Sequence, residues 1–359
     1  MSGTSRSLTT ARWTSVAMMA GPGAALITLF VIVPFFLALV LTFTDQRLIS
    51  PNPTSFVGLQ NYERLLGLSV IAVDPDTTET GATVTDEQGQ AVFPALRGIL
   101  RADPDLRRYR PMIEVEVFER KYVLLSQDPM FWQSLFNTFL FAFLVVPLQC
   151  GSALALALLV NRMIPGRTFF RLVYFMPVVT SMVVVSIIWT FLLDPNHGMI
   201  NGFVGFLSLG TLGPFNFLGS EALVIPAIAV MSAWQGAGFQ MLIFLAGLQG
   251  INRDLYDAAS VDGATPWQKF RHVTLPGLRN TTVFVVISTT ILAFGLFTQI
   301  DVMTGGGPSG ASSTVVYHAV RTGFREQNIA YGSTITLVYF LLVLGVALIQ
   351  RRLIDKGGE

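Results

Sequence analysis

The chain has 359 residues, of which 52% are hydrophobic and only 13% are charged, and its formal net charge is +1. This composition excludes an ordinary soluble enzyme and favours a protein with several membrane-spanning segments. The near-neutral charge gives no indication of nucleic-acid binding. The lone Cys150 excludes an internal disulfide, and His197, His272 and His318 show no metal-ligand spacing, so no metal site is expected.

Six apolar runs are long enough to cross about 30 Å of hydrocarbon as helices. The first run is too long for a signal-peptide core, so we predict an uncleaved helix after a cytoplasmic tail of residues 1–20. Pro147, Pro177 and Pro226 lie in or near the runs, where neighbouring helices absorb kinks. The six runs are 24–44, 132–160, 168–193, 222–250, 281–302 and 331–350.

Basic residues mark one side of the predicted helices. They occur in the turn 161–167, in the loop 251–280 and at the C-terminus, whereas residues 194–221 contain no Lys or Arg. Short loops rich in Lys and Arg stay in the cytoplasm. We therefore predict that both termini, the turn and the loop are cytoplasmic.

A long polar segment follows the first helix. Residues 55–66, SFVGLQNYERLL, lead into residues 67–128, which break the apolar pattern. In this insert Ile113, Val115 and Val117 alternate with glutamates, which predicts a strand with one buried face. One interpretation is a disordered loop, because the first half is rich in Asp, Thr and Gly. The interpretation we favour is a small extracytoplasmic domain.

A shorter amphipathic stretch lies between the fifth and sixth runs. Residues 314–326 place apolar side chains on one helical face and a histidine and two arginines on the other. This pattern predicts a short helix at the outer membrane interface. The apolar positions are Val316, Ala319, Val320 and Phe324, and the polar positions are His318, Arg321 and Arg325.

The most informative segment is residues 252–276, NRDLYDAASVDGATPWQKFRHVTLP, which is polar although apolar runs flank it. Asn252 and Thr265 are predicted helix N-caps, and Thr265 forms a capping box with Gln268. Gly263 can take the left-handed conformation that ends a helix. The segment therefore predicts two short helices joined by a tight turn, the second stopped by its terminal proline. An ordinary loop between membrane helices is the alternative.

The spacing of this segment resembles the EAA loop of binding-protein-dependent ABC importer permeases. That loop reads Glu-Ala-Ala, three residues, Gly, nine residues, Ile, one residue, Leu-Pro. Every spacing is kept here, with Asp257 in place of Glu and Val273 in place of Ile, and the flanks are most similar to the sugar-permease branch. The resemblance implies that six residues dock on an ATPase subunit: Asp257, Ala258, Ala259, Gly263, Leu275 and Pro276.

The resemblance also implies a fold and a set of partners. The fold would be all-α and polytopic, with about six transmembrane helices of the ABC importer type I permease fold and a small extracytoplasmic insert after the first helix. The partners would be a second permease in a heterodimer, an ATP-binding cassette ATPase dimer, an extracytoplasmic solute-binding protein, membrane lipid and a carbohydrate. The location would be the bacterial cytoplasmic (inner) membrane.

The predicted domains follow from this fold. The chain has no Walker A motif, so ATP and Mg would be bound by the partner ATPase, and this chain would be a transport subunit without a cofactor or enzymatic activity. The predicted boundaries are 1–20 for the cytoplasmic tail, 21–66 for the first helix and outer segment, 67–128 for the insert, and 129–359 for the core permease domain with its coupling loop 251–280.

Polar side chains inside the apolar runs are candidates for a substrate path, because neutral amides and hydroxyls suit a sugar. The alternative is that they join helices by hydrogen bonds. The residues chosen on polarity are Thr180, Ser181, Gln235, Gln240, Thr289, Thr298 and Gln299. Resemblance to maltose permeases implies that Gln235, Gly236, Phe239, Thr289, Leu292, Ala293 and Leu296 line a ligand. Together these arguments predict a substrate path formed by Thr180, Ser181, Gln235, Gly236, Phe239, Thr289, Leu292, Ala293, Leu296 and Gln299.

The sequence disfavours two other classes of function. An ion-coupled secondary transporter generally needs ionisable groups at membrane depth, and the six runs hold none near their centres. An intramembrane enzyme would need a cluster of His, Asp or Glu in the helices, which is absent from the sequence. The sugar stays open among trehalose, maltodextrins, other oligosaccharides and glycerol 3-phosphate.

Overall fold

The computed structural model describes residues 18–77, 84, 92–117, 120–162 and 166–356. Over this part the apolar runs are helical, as predicted, and four helices are long and apolar enough to cross a membrane. Two bent helix pairs raise the number of such spans to six. Most of the predicted tail, the TDEQGQ part of the insert and the middle of the turn 161–167 lie outside the described residues.

Within the described residues the three strands all lie in the insert, and the other regular elements are helices. The strands are β1 (Leu68–Val73), β2 (Arg110–Val117) and β3 (Arg120–Ser126). The helices are α1 (Met18–Leu41), α2 (Gln60–Leu66), α3 (Leu96–Ala102), α4 (Pro129–Asn161), α5 (Arg167–Val179), α6 (Met182–Leu192), α7 (Met199–Leu207), α8 (Val224–Gln249), α9 (Arg253–Val261), α10 (Pro266–Gly277), α11 (Arg279–Phe294), α12 (Thr298–Met303), α13 (Val315–Val320) and α14 (Ile329–Lys356).

Among the four unbroken spans, the helices with the higher mean hydropathy have the smaller buried fraction. The most apolar window of α1 has a mean hydropathy of 2.9 and none of its residues is buried. In α8 the corresponding window has a mean hydropathy of 1.4 and 61% of it is buried. A helix that faces lipid needs apolar side chains all round, whereas a helix covered by protein can carry polar groups.

One compact unit contains α1, the outer segment, the insert and residues 319–337. In the outer segment the Asn61 amide donates to the carbonyls of Thr42 and Thr44 at 2.9 and 2.8 Å. The Arg64 guanidinium lies 4.1 Å from the ring centroid of Tyr331, in the first turn of α14. The two Asn61 hydrogen bonds satisfy free carbonyls beyond the end of α1, which otherwise have no helical partner.

The insert contains a three-stranded sheet in the order β1-β3-β2, with β1 and β3 antiparallel. One face buries Val73, Val123 and Leu125 against Leu100 of α3. The strand predicted from the alternating residues exists as β2, but the predicted burial of its apolar side chains is wrong. Ile113, Val115 and Val117 are exposed, and so are the glutamates between them, so neither face of β2 over residues 113–117 is buried. A 2.6 Å ion pair joins Glu114 to Lys121 of β3.

The second compact unit contains α4 to α12 and the later part of α14. Its core joins α4 and α8 through small residues, with Ala153 and Ala157 of α4 and Ala237 of α8 fully or almost fully buried. Small residues let helix backbones approach closely, which is how membrane helices gain packing energy. Helix α8 also approaches α5 closely. At Gly238 of α8, an added Cβ would lie 2.1 Å from the backbone oxygen of Tyr174 in α5.

The amphipathic stretch 314–326 is helical, as predicted, and Arg321 and Arg325 of its polar face are exposed. His318 of the same polar face departs from the predicted pattern, because it is only 8% exposed. The imidazole Nε2 of His318 lies 3.1 Å from Asp128 Oδ2, and the other oxygen of Asp128 accepts a hydrogen bond from the N–H of Phe131 as the N-cap of α4. A buried imidazole is tolerated because it has this polar partner.

Candidate functional site

A cavity of about 400 Å³ lies in the second unit, among α4, the α5–α6 pair, α8, α11 and α12. This volume is within the range of about 300–1,000 Å³ that is usual for small-molecule sites. Leu292 and Phe239 line it and are still 66% and 49% exposed. The cavity is therefore a cleft that opens at one side of the chain.

Eight of the ten residues predicted for the substrate path line this cleft. They come from two segments separated by about fifty residues of sequence, so the fold brings them together. The eight residues are Gln235, Gly236, Phe239, Thr289, Leu292, Ala293, Leu296 and Gln299. Their contact with a solute stays a prediction.

The remaining two predicted residues, Thr180 and Ser181, are not part of the lining. They lie between α5 and α6, where the helix axis bends by 97°. Their neighbours Val178 and Met182 line the cleft instead, while the Thr180 hydroxyl donates to the backbone carbonyl of Met176 at 3.3 Å.

The bend between α5 and α6 occurs at Thr180 and Ser181, whose non-helical backbone, with ψ of 138° and 133°, interrupts the helix. The carbonyl of Pro177 accepts a hydrogen bond of 3.4 Å from Gln235 Nε2. Gln235 therefore has a structural contact as well as a place in the lining. This is the helix-joining role that was the alternative for the polar residues.

A second break corrects the predicted run 281–302, which is not one helix. Helix α11 ends at Phe294 and α12 begins at Thr298. The free carbonyl of Phe294 accepts from the Tyr339 hydroxyl at 2.6 Å, and that of Leu296 accepts from the Thr314 hydroxyl at 2.7 Å. The break is stable because distant side chains satisfy the carbonyls that the helix end leaves free.

Sequence reasoning missed two polar lining residues, Gln149 and Ser232. The Gln149 amide lies directly over Gly236, where an added Cβ would be 2.2 Å from Nε2. Gly236 thus makes room for an amide from another helix. The local sequence of α4 gives no sign of this contact, because Gln149 sits among apolar residues and its partner lies 87 positions later.

The cleft is uncharged, and its lining combines apolar side chains with amides and hydroxyls. Among the described residues that line it there is no Asp, Glu, Lys, Arg or His. The polar groups are amides and hydroxyls, and Gln149, Gln240 and Thr289 are each less than 9% exposed. Such a lining can form hydrogen bonds with a neutral solute but cannot neutralise a charged one.

The second predicted site, in residues 251–280, is a helical hairpin. Asn252 caps α9 by accepting from the N–H of Asp254, and Thr265 and Gln268 form the predicted capping box of α10. Gly263, between them, has φ +73°. These local predictions are confirmed, except that α10 continues one residue past Pro276 and the axis then bends by 66° into α11.

Two side-chain hydrogen bonds hold the hairpin together. The Tyr256 hydroxyl lies 2.9 Å from the Thr274 hydroxyl, and Lys269 Nζ donates to the Ser260 hydroxyl at 2.6 Å. Both bonds join α9 to α10. The two hydrogen bonds therefore hold α9 and α10 in a fixed relative position.

The residues predicted to dock on another protein lie mainly on the outside of this hairpin. Asp257, Ala258, Gly263, Leu275 and Pro276 are exposed and Ala259 is half-buried. Large apolar side chains are also exposed, with Val261 at 89% and Trp267 at 66%. Among the described residues, Asp257 forms no salt bridge.

Comparison with known proteins agrees with this architecture. The sequence profile of the binding-protein-dependent transport system inner membrane component family matches residues 149–356. A probable ABC transporter permease protein, YurN of Bacillus subtilis, is 31% identical over 67% of this chain and 82% of its own length. The trehalose/maltose transport system permease protein MalF of Thermococcus litoralis is 32% identical, over 64% and 77%. The sn-glycerol-3-phosphate permease protein UgpA of Yersinia pestis is 30% identical, over 66% and 79%.

Solved structures show the same fold. A bacterial ABC transporter involved in the import of the acidic polysaccharide alginate aligns with a TM-score of 0.66, over 97% of this chain and 96% of the other, at 17% identity. The alginate transporter in complex with its alginate pentasaccharide-bound periplasmic protein aligns at 0.56, over 62% and 77%, at 22% identity.

The helical fold and its apolar spans are those of a membrane transport component, and the relatives that match the chain are transport permeases and not enzymes. The chain belongs to the binding-protein-dependent transport system inner membrane component family. The resemblance based on residues 252–276 is thereby confirmed, as is the expected permease fold.

Proposed function

We propose that this chain is one permease subunit of an ATP-driven, binding-protein-dependent carbohydrate importer. The observation that carries the proposal is the uncharged, amide-rich cleft, to which eight separately predicted residues contribute. Relatives named as permease proteins of trehalose/maltose and sn-glycerol-3-phosphate transport systems support a polyhydroxylated solute.

The open side of the cleft supports the proposal of a heterodimer. A transport path needs walls all round, and this chain leaves Leu292 and Phe239 exposed. A second permease subunit would supply the missing wall, so that each subunit forms half of the path. Exposed apolar lining residues are typical of a surface that a partner covers.

The hairpin 251–280 is the proposed coupling element. Its partner would be a cytoplasmic ATP-binding cassette dimer, which would hold ATP and Mg and whose closure would move the hairpin. The support is geometric: an exposed Asp257 and exposed apolar side chains on a hairpin stiffened by two side-chain hydrogen bonds. This location requires both termini to be cytoplasmic and the insert 67–128 to be outside, where a solute-binding protein docks.

The test of this function is a charge reversal at Asp257. We expect Asp257→Lys to abolish solute uptake in proteoliposomes, because the lysine would face basic side chains of the ATPase. The matched control is Asp262→Lys, the same change at the C-cap of the same helix, which should retain uptake. Normal uptake by Asp257→Lys, with the complex assembled, would contradict the coupling assignment.

A further inference from the structure

The connection between α6 and α8 contains helix α7 and belongs to the second compact unit. From residue 195 to residue 220 it has no Asp, Glu, Lys or Arg. Segments that lie in water usually carry such residues, because charged side chains are the ones that most favour solvent. The insert 67–128, by contrast, carries charges of both signs. The composition of the connection is therefore unusual for a loop in water.

The outward face of α7 is apolar. The four large apolar side chains of α7 that are exposed fall within about 100° around the helix axis. Asn201 and Val204 lie on the opposite side and are half-buried. A helix in water has the reverse arrangement, with its polar side outward. The exposed apolar residues of α7 and of the turn after it are Met199, Phe203, Phe206, Leu207, Leu209 and Leu212.

The polar groups of the connection are paired within the connection itself. The Asn201 amide donates to the carbonyls of Asp194 and Phe215 at 3.2 and 2.8 Å, and its oxygen accepts from the N–H of Phe215 at 2.9 Å. The Ser208 hydroxyl accepts from the N–H of Leu212 at 3.1 Å. Lipid offers no hydrogen-bond partner, so non-helical backbone close to hydrocarbon needs pairing of this kind.

The exposed apolar surface is also present where α6 approaches the connection. Ile188 and Phe191, near the end of α6, are exposed, and α6 is half of a bent membrane span. A protein partner would be the alternative cover for α7. Protein interfaces, however, have a polar rim and charges that orient the partner, and residues 195–220 supply no such charge. The surface therefore fits lipid better than protein.

We propose that α7 is an interfacial helix that lies in the lipid bilayer, with Phe203 and Phe206 among the acyl chains. It is a membrane contact in addition to the candidate spans, and under the proposed orientation it lies in the outer leaflet. Because α7 has no Lys or Arg, its binding depends on apolar burial and not on anionic headgroups. The inference does not depend on which solute is transported.

This anchor has a consequence for the cleft. The connection joins the α5–α6 pair to α8, and both contribute to the lining, for example through Met182 and Gly236. A helix held at the membrane interface between them fixes the depth at which this part of the wall lies in the bilayer.

Spin labels measure the position of α7 directly. Phe206→Cys, on the apolar face, and Glu116→Cys, in the insert, are each made in a Cys150→Ala background. The labelled transporter is assembled in nanodiscs of phosphatidylcholine. We expect the label at position 206 to collide severalfold more with oxygen, which concentrates in hydrocarbon, than with a water-soluble nickel chelate. The label at position 116 is the control and should show the opposite preference.

Two outcomes would overturn the proposal. A label at position 206 that collides mainly with the nickel chelate would place the apolar face in water, where a soluble partner could cover it. A label shielded from both reagents would show that another protein chain covers α7. Neither outcome would affect the proposed transport function, which uptake assays measure separately.

A second measurement needs no substitution and so does not depend on assembly of a variant. The unaltered transporter is placed in nanodiscs that contain a phosphatidylcholine with a photoactivatable group in its acyl chain, and crosslinked residues are identified by mass spectrometry. We expect crosslinks to residues 199–212 as well as to α1, whose most apolar window has no buried residue. The yield should be the same in nanodiscs rich in phosphatidylglycerol. Crosslinks to α1 without any to residues 199–212 would overturn the proposal, and a yield that rises severalfold with the anionic lipid would contradict binding by apolar burial.

Discussion

Gly263 carries a turn that only a few residue types can form. Its φ of +73° lies in the left-handed region, and no atom lies within 4 Å of the position that a Cβ would occupy. A side chain at this position would therefore meet no steric clash with its surroundings. The cost of a substitution comes from the backbone alone, about 1–2 kcal/mol for an ordinary residue.

Because the backbone conformation and not a steric clash limits substitution of Gly263, two variants should behave differently. We expect Gly263→Val to distort the turn between α9 and α10 and to lower binding-protein-stimulated ATPase activity severalfold. Gly263→Asn should stay close to wild type, because asparagine tolerates the left-handed conformation. Equal activity of the two variants would show that the turn conformation does not matter for coupling.

At the level of elements, helix contact depends on single positions along α8. At Gly238 an added Cβ would meet the Tyr174 backbone oxygen at 2.1 Å, a distance that requires α5 and α8 to move apart. At Gly151 of α4, by contrast, nothing lies within 4 Å. The two glycines occupy helix interiors but differ completely in their surroundings.

We expect Gly238→Ala to destabilise the folded chain by about 1–3 kcal/mol, as overpacking usually does. Gly151→Ala should be neutral or stabilising by up to about 1 kcal/mol, since alanine favours a helix. Thermal unfolding of the detergent-solubilised complex measures both changes. A melting temperature for Gly238→Ala at or above wild type would contradict the close contact of α5 and α8.

An element could be predicted from the sequence when the interactions that form it involve neighbouring residues. Helix caps at Asn252 and Thr265 and the turn at Gly263 were predictable, because a few adjacent residues determine them. The break after Phe294 was not, because hydroxyls from other helices stabilise it. The position of Gln149 over Gly236 likewise depends on packing between two distant segments.

The same distinction applies to the two burial errors. The pattern of residues 113–117 predicted a strand with one buried face, but α3 packs on β1 and β3 and leaves both faces of these residues exposed. His318 was expected on an exposed face, and its burial depends on Asp128, which is 190 positions earlier. Periodicity gives the element, while the partner that covers each face is a property of the tertiary fold.

For the whole molecule, the proposed docking of a solute-binding protein has an electrostatic component. Arg101, Arg107 and Arg108 of the insert are exposed, and surface charges accelerate association at low salt. We expect replacement of the three arginines by glutamine to lower the association rate of the binding protein at low ionic strength. The difference from wild type should shrink as salt is raised, because screening removes the advantage.

Surface plasmon resonance at several salt concentrations measures this effect. The matched control replaces the same arginines by lysine, which keeps the charge and should keep the salt dependence. An association rate that is unchanged in the glutamine variant at every salt concentration would mean that these arginines do not guide docking.

The inverse relation between hydropathy and burial has a consequence for biogenesis. Helix α1, with a mean hydropathy of 2.9 and no buried residue in its most apolar window, needs no other part of the chain to stay in a bilayer. The most apolar window of helix α8 has a mean hydropathy of 1.4, and 61% of that window is covered by neighbouring parts of the protein. During synthesis α1 can therefore leave the translocon alone, whereas α8 is retained more firmly once α4 is already beside it. Because α4 precedes α8 in the sequence, α4 is synthesised first and is already present when α8 enters the membrane.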